Sequence, residues 1–412
     1  MNDAQAVIDR LRRTTDTIVG EADLRTRLES GRPLRIKYGV DCTAPDLHLG
    51  HAVNLWMMRG LQDLGHTVVF LLGDLTTRIG DPTGRSETRP MLTPEEIEVN
   101  AAAFLEQVSL VLRTDPEVFE VRRNSEWYDA MDVATLLGLF AQVTQAQLMA
   151  RDMFRSRVAA GREIALHELT YPVLQGYDSF ALGSDLTIVG SDQLFNEQLG
   201  RHFQQRLGAE PQVVITSTIT PGLDGGPKQS KSLNNYVALT DSPQDKFGKL
   251  MSLPDDLVET YARVYTELPL DAVAALGSAA AVGGPAARDA KLRLAAAVVT
   301  RYHCAGTARA ELDAFQRVFS QRTEPVDLPE VVIDSPALSA LELLIAVRPD
   351  VSKSELRRLL RQGAVSIDGM KLTDPEETVD LHAGAVVRTG RRTWHRVRRN
   401  SQAAAPAMPD HR

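Results

Sequence analysis

The sequence predicts an α/β fold built on a parallel sheet, and three adjacent stretches carry that prediction. RIKYGVD (35–41) is short and strand-like. HAVNLWMMRGLQDLG (51–65) spaces its apolar residues at helical intervals and ends on Gly65, a residue suited to closing a helix. HTVVFLLGD (66–74) is a continuous apolar run, the pattern of a strand covered on both faces. Strand, helix, strand in that order make a βαβ unit, which lays its strands side by side in parallel.

The remaining elements follow in chain order. The opening stretch, MNDAQAVIDRLRRTTDTIVG, has helical spacing throughout. The segment from about 90 to 168 is mostly helical in pattern and reads as an insertion into a nucleotide-binding domain. SDLTIVG (184–190) and QVVITST (212–218) supply further strands and bring the first domain, 1–242, to its end. Residues 243–319 are alanine-rich and helical. SQRTEPVDLPEVVID carries Pro325 and Pro329 without helical period, so 320–335 reads as a linker. A small α+β domain, 336–399, contains a basic helix in SKSELRRLLRQGAVSIDGMKL. A glycine stop, a strand and a turn at Asp368-Gly369 follow. Leu356, Leu359, Leu360, Val365 and Ile367 give it a core pattern. The tail, 400–412, is expected to be disordered.

Composition narrows the function classes. With 43% hydrophobic and 24% charged residues the chain is an ordinary globular one, and its net charge of −8 requires any nucleic-acid contact to be a local basic patch. The only cysteines, Cys42 and Cys304, exclude a disulfide framework and a four-cysteine zinc site. They suit a reducing, cytoplasmic setting. The start lacks the apolar core of a signal peptide, and TVVFLLG is too short to span a bilayer, so no membrane association is expected.

Four constellations carry chemistry. In PDLHLGH, Asp46 is positioned to cap the following helix, whose first turn presents free N–H groups and a positive dipole end to a phosphate. Gly50 lets a flat base or a phosphate approach, and His48 and His51 share one side of the turn. Alone, this is also the pattern of two surface histidines. GGPKQSKSLNN (225–235) presents Lys228, Ser230, Lys231 and Ser232 on a glycine-proline loop, able to close over a triphosphate or simply to be solvated. GDLTTRIGDPTGRSETR (73–89) turns sharply after a strand, with Asp81 available to an ammonium group and Arg85 and Arg89 to phosphates. A tight structural turn explains it equally well. YPVLQGYD (171–178) sets Tyr171, Gln175 and Asp178 on one helical stripe, a polar wall suited to a small zwitterion. GSDQLFN (190–196) adds Asp192 and Gln193, placed like a ribose-binding carboxylate and its neighbour. Two histidines without a third ligand make no case for a protein-held metal.

Taken together, GVDCTAPDLHLGH, GDLTTRIGDPTG, TYPVLQGYD, GSDQLFN, KQSKS and SKSELRRLLRQGAVSIDG resemble the bacterial tyrosyl-tRNA synthetases, a class I aminoacyl-tRNA synthetase family. The resemblance runs from about residue 30 to about 395. HLGH matches that family's HIGH signature and KQSKS its KMSKS loop; YPVLQGYD points to tyrosine. The resemblance implies a Rossmann-like catalytic domain with a helical insertion carrying a homodimer contact, an anticodon-side helical domain and an S4-type RNA-binding domain. It implies activation of L-tyrosine by ATP, with Mg²⁺ held mainly by ATP, and transfer to the 3′ end of tRNA(Tyr). His48, His51, Lys228 and Lys231 would serve the transferring phosphates. Gly39, Asp41, Gly50, Gly190, Asp192, Ser230 and Ser232 would line the ATP site. Asp81, Tyr171, Gln175 and Gln193 would hold the amino-acid end of the substrate, and Asp178 its phenol. Arg357, Arg358 and Arg361, with Arg391, Arg392, Arg396, Arg398 and Arg399, would meet RNA phosphates.

Six positions depart from the pattern. Gln229 replaces a methionine, Asn234 a glycine, Val189 a glycine and Cys42 a proline. Lys37 stands where some members have a second phenol-binding tyrosine, and Tyr38 beside it is unexpectedly bulky. These departures leave a specialised paralogue for a modified tyrosine, or an RNA-binding homologue without catalysis, as alternatives.

Overall fold

The computed structural model describes residues 3–43, 47–82, 92–230, 233–320, 328–333, 337–381, 384–390 and 393–399. The chain divides into two compact units, Met1–Glu311 and Leu312–Arg412.

The first unit is α/β and Rossmann-like. Its sheet contains β1 (Thr15–Val19), β2 (Arg35–Val40), β3 (Thr67–Leu72), β4 (Phe119–Arg123), β5 (Leu186–Gly190) and β6 (Val213–Ser217), in the order β1-β6-β5-β2-β3-β4. All neighbours are parallel except β1, which runs antiparallel on β6. Val68, Val69, Phe70, Leu71 and Leu72 are all buried, as a strand covered on both faces must be. The chain lays β3 and β4 to one side of β2 and β5 and β6 to the other. Between β2 and β5 the winding reverses, and the crevice at their carboxyl ends is where α/β sheets take ligands.

The predicted crossover helix is Leu49–Gln62. It closes at Gly65, with the His66 N–H on the Leu61 carbonyl and the Gly65 N–H on Gln62, a Schellman arrangement. Its N-cap is His48, not the predicted Asp46, which lies outside the described residues.

Two further expectations are corrected, for the opening stretch and for the linker. The opening stretch is helical only over Ala4–Arg12; TDTIV becomes β1, because its backbone completes the sheet edge left by β6. The segment at about 90–168 is mostly helical and also carries one strand among its described residues, since FEVRR forms β4 on β3. Its short alternation of apolar and charged residues is what a half-exposed edge strand needs. Within the presumed linker, Glu330–Ile333 is strand β7. The alanine-rich region forms helices Pro243–Met251, Val258–Tyr265, Leu270–Val282, Gly284–Tyr302 and Ala305–Ser320.

In the second unit, β8 (Ala337–Ser339) pairs with β11 (Thr378–Asp380). The larger sheet joins β9 (Val365–Ile367), β10 (Met370–Leu372), β12 (Val386–Thr389) and β13 (Thr393–Arg399) to β7 in the order β10-β9-β12-β13-β7. Asp368 and Gly369 link β9 to β10 with φ of +47° and +84°, a primed hairpin turn. Leu356 and Leu360 of helix Lys353–Arg361 are buried with Leu343, Leu344, Val365, Ile367 and Val387, and Leu359 packs at their margin. The expected tail lies outside the described residues.

Candidate active site

The carboxyl end of β2 leads into the histidine turn. His48 is extended (φ −128°, ψ 173°), and its Nδ1 accepts the Gly50 N–H at 3.1 Å. The His48 N–H in turn donates to Nδ1 of His51 at 3.3 Å, closing a reciprocal cap. An Nδ1 that accepts carries no proton, so each imidazole keeps its N–H on Nε2. A Cβ at position 50 would lie 3.0 Å from the His48 ring. Glycine therefore lets the His48 ring close the cap without shifting, a reason the motif did not reveal.

This turn is joined to the chain that follows the lysine loop. The Leu49 N–H donates to Val237 O, and the Leu239 N–H to Leu47 O. His48 bridges to Ala238, and its ring lies 5.7 Å from that of Tyr236. Lys228 forms a 3.0 Å ion pair with Asp192, just beyond the end of β5. The Ser230 N–H donates to Asn235 Oδ1 at 2.8 Å. Histidine turn and lysine loop thus meet at the same sheet edge. Lys231, Ser232, Arg85, Arg89, Arg391 and Arg392 lie outside the described residues.

The polar wall is on helix Leu166–Ala181 and faces inward. Tyr171 donates to Asp41 Oδ2 at 3.0 Å, and Asp41 Oδ1 accepts from Thr76 at 3.0 Å. Burial, then neighbouring Asp41, pushes the Tyr171 phenol up, so it remains a donor. Gln193 donates to Asp81 at 2.8 Å, and Asn196 donates to both Gln175 (2.6 Å) and Gln193 (2.9 Å). Arg151 stacks over Phe195, 4.9 Å from the ring centre, with its charge near Asp81 and Asp192. Asp178 is 2% exposed and accepts from the Trp127 indole at 3.0 Å and from Asn124 at 3.4 Å. Burial pushes its carboxyl up to about 7, opposed first by Lys37. The Tyr128 hydroxyl also hydrogen-bonds this carboxyl, and with roughly four acceptor positions the group has room for one further donor.

Below this wall, Lys37 of β2 makes a 2.8 Å ion pair with Glu197 of helix Leu194–Arg206 and donates to Ser179 at 2.7 Å. Successive strand residues point to opposite faces. Tyr38 therefore lies on the other face, its ring 5.9 Å from that of Phe70, and its bulk is turned away from Lys37. Gly39 is exposed at the strand's end. Cys42 is buried; its N–H donates to Thr77 and its carbonyl accepts from Asn100. Val189 is a buried residue of β5, and Gly190 ends that strand. Asn234 has φ +50°, a conformation that asparagine tolerates better than most non-glycine residues.

Sequence reasoning missed Glu197, Ser179, Asn124, Trp127, Asn196 and Arg151. A signal for Glu197 was present: a lysine in a strand buried on both faces requires a buried carboxylate opposite it. Asn124 and Trp127 follow β4, and overlooking that strand hid them.

A parallel sheet with a histidine-capped helix after one central strand, and a lysine loop meeting the end of the next, is the plan of a class I aminoacyl-tRNA synthetase catalytic domain. The profile of the family described as tRNA synthetases class I (W and Y) matches residues 29–320, more than half of the chain. The chain belongs to that family. It is 45% identical to a tyrosine–tRNA ligase of Moorella thermoacetica over 94% of each chain. It is 42% identical to one of Thermotoga maritima, over 94% of this chain and 96% of that one. Among solved structures, a C-terminally truncated mitochondrial tyrosyl-tRNA synthetase of Aspergillus nidulans shares the fold. Its TM-score is 0.62 at 23% identity, covering 77% of this chain and 95% of that one. The Archaeoglobus fulgidus tyrosyl-tRNA synthetase complexed with L-tyrosine gives a TM-score of 0.59 at 22% identity, covering 75% and 100%.

Proposed function

We propose that this protein ligates tyrosine to tRNA, activating the amino acid with ATP and passing the tyrosyl group to the 3′-terminal adenosine. The observation that carries the reading is the convergence of the His48 cap, the Lys228–Asp192 contact and the buried Asp178 carboxyl at one sheet edge. In the first step a substrate carboxylate oxygen attacks the α-phosphorus of ATP and pyrophosphate leaves. No side chain acts as nucleophile; the site works by positioning and by charge. The Nε2–H groups of His48 and His51 donate to phosphoryl oxygens, and Lys228 and Lys231 neutralise the departing pyrophosphate. Asp192 exchanges Lys228 for the ribose, with Gly39, Asp41, Gly50, Gly190, Ser230 and Ser232 lining the nucleotide. Asp81, Tyr171, Gln175 and Gln193 hold the amino-acid end, and Asp178 accepts the phenol hydrogen. In the second step the terminal ribose hydroxyl attacks the tyrosyl carbonyl and AMP leaves.

Among the described residues no three His, Cys, Asp or Glu side chains gather as metal ligands would. Mg²⁺ is assigned to ATP, with no step routed through it.

For RNA, Arg357, Arg358 and Arg361 lie exposed along helix Lys353–Arg361, opposite its buried leucines. With Arg391, Arg392, Arg396, Arg398 and Arg399 they form the proposed S4-type contact to tRNA phosphates. The helices of 243–319 take the anticodon side. A homodimer contact on the insertion is supported by exposed apolar side chains, Val133 at 71% and Leu166 at 77%. No helix among the described residues is long and apolar enough to cross a membrane, and action in the cytoplasm is proposed.

Amino-acid-dependent exchange of pyrophosphate into ATP tests the reading. Tyrosine-dependent exchange, followed by tyrosyl transfer when tRNA is added, is expected. Exchange only with another amino acid would move the substrate assignment, and none at all would end it.

A further inference from the structure

The lysine loop is held by a buried polar anchor. Gln229 is 5% exposed, and its Nε2 donates to the Tyr265 hydroxyl at 2.7 Å and to the Thr220 hydroxyl at 3.3 Å. Those two hydroxyls also bond to each other. Tyr265 ends helix Val258–Tyr265, and its ring lies 5.0 Å from that of Tyr261, whose hydroxyl donates to Pro221 O at 2.7 Å. Pro221 bridges to Lys228, and the Gly222 N–H donates to Pro227 O at 2.8 Å. The start of the loop is therefore a small two-stranded turn, pinned to one helix by two tyrosines. Neighbouring residues of an extended chain point opposite ways. With Gln229 drawn inward to Tyr265, Lys228 is turned outward, where it reaches Asp192 at 3.0 Å.

We propose that Gln229 is a positioning residue: its amide, locked between the Tyr265 and Thr220 hydroxyls, sets the register of the loop and so aims Lys228 at the nucleotide site. An apolar side chain of equal length would fill the same space, but it would not fix the direction of the chain, because only the hydrogen bonds are directional. The proposal rests on the ligase reading insofar as Lys228 meets the phosphates of ATP.

Gln229→Met keeps the length and removes the donor; Tyr265→Phe removes only the hydroxyl. In the full-length protein each is expected to raise the KM for ATP, or to lower kcat, by about two- to tenfold in pyrophosphate exchange, the effect of one buried hydrogen bond. The KM for tyrosine stays unchanged. The double variant is expected to be no worse than the more severe single one, since both remove the same contact. Wild-type ATP parameters in both single variants, or a KM for tyrosine that rises as much as the KM for ATP, would overturn the proposal. Limited trypsin cleavage without ligands gives a readout free of catalysis. The initial rate of cutting after Lys228 is expected to rise in both variants, and an unchanged rate counts against the anchor. If the wild type shows no tyrosine-dependent exchange, the ligase reading fails, and the cleavage rates still decide whether Gln229 fixes the loop.

Discussion

Lys37 and Glu197 form a 2.8 Å ion pair with 2% and 1% of their side chains exposed. The pair ties β2 to helix Leu194–Arg206 directly beneath the polar wall. Ser179 takes one ammonium hydrogen, and Gln212 and Gln175 donate to the carboxylate at 2.8 and 3.3 Å, so both charges are well satisfied. Removing one partner strands the other charge in a site that water does not reach. Lys37→Met is expected to cost about 3–5 kcal/mol, and Lys37→Met with Glu197→Gln markedly less, because the double change leaves no buried charge. Urea unfolding of the three proteins measures it. A single variant as stable as the double one would show that the pair bears little of the local stability.

Asp178 has a consequence for pH. Burial, opposed first by Lys37, holds its carboxyl at about 7, whereas an unfolded chain titrates it at roughly 4. Between those values the folded protein keeps a proton that the unfolded one releases. The stability this contributes is complete below the unfolded value and is lost as pH rises through about 7. Asp178→Asn cannot titrate, so its urea midpoint relative to wild type is expected to climb between about pH 4 and about pH 7 and to level off above that. A difference that stays flat across that range rejects the raised carboxyl. The same position tests the substrate contact. Asp178→Ala is expected to weaken discrimination against phenylalanine in the exchange assay, and unchanged selectivity removes Asp178 from the phenol site.

Asn234 follows the lysine loop at φ +50°. Left-handed backbone costs an ordinary L-residue about 1–2 kcal/mol, asparagine less and glycine nothing. Asn234→Gly is therefore expected to be neutral or slightly stabilising, and Asn234→Ala to cost roughly 1 kcal/mol. Equal stability of the two variants, by thermal or chemical unfolding, would show that the turn relaxes once asparagine is gone.

The βαβ unit was legible because a buried parallel strand and an amphipathic helix have distinct periods, and both sit in 35–74 without interruption. The Tyr171, Gln175 and Asp178 stripe was legible for the same reason. What failed was edge structure and pairing. TDTIV and FEVRR are each five residues with mixed burial, too short for alternation to stand out, and their strand character comes from the neighbour they complete. Glu197 was hidden because its partner lies far away in the sequence. That Lys37 is also half of a buried ion pair with Glu197 was hidden for the same reason.

The cap that His48 makes and the phosphate contact proposed for it can be separated. Its Nδ1 caps helix Leu49–Gln62 through the Gly50 N–H, so its N–H sits on Nε2, the atom proposed to meet a phosphate. Asparagine is a good N-cap but is too short to offer a donor at the position of Nε2. His48→Ala is expected to lower stability by about 0.5–2 kcal/mol, whereas His48→Asn should hold it. Both should slow tyrosine-dependent exchange by about 100-fold or more, the loss typical of a donor aimed at charge that develops in the transition state. Paired unfolding and exchange measurements read the two effects independently. Were His48→Asn to exchange at the wild-type rate, the histidine would be a cap alone, and the phosphate contact at this turn would have to come from His51 and the backbone N–H groups.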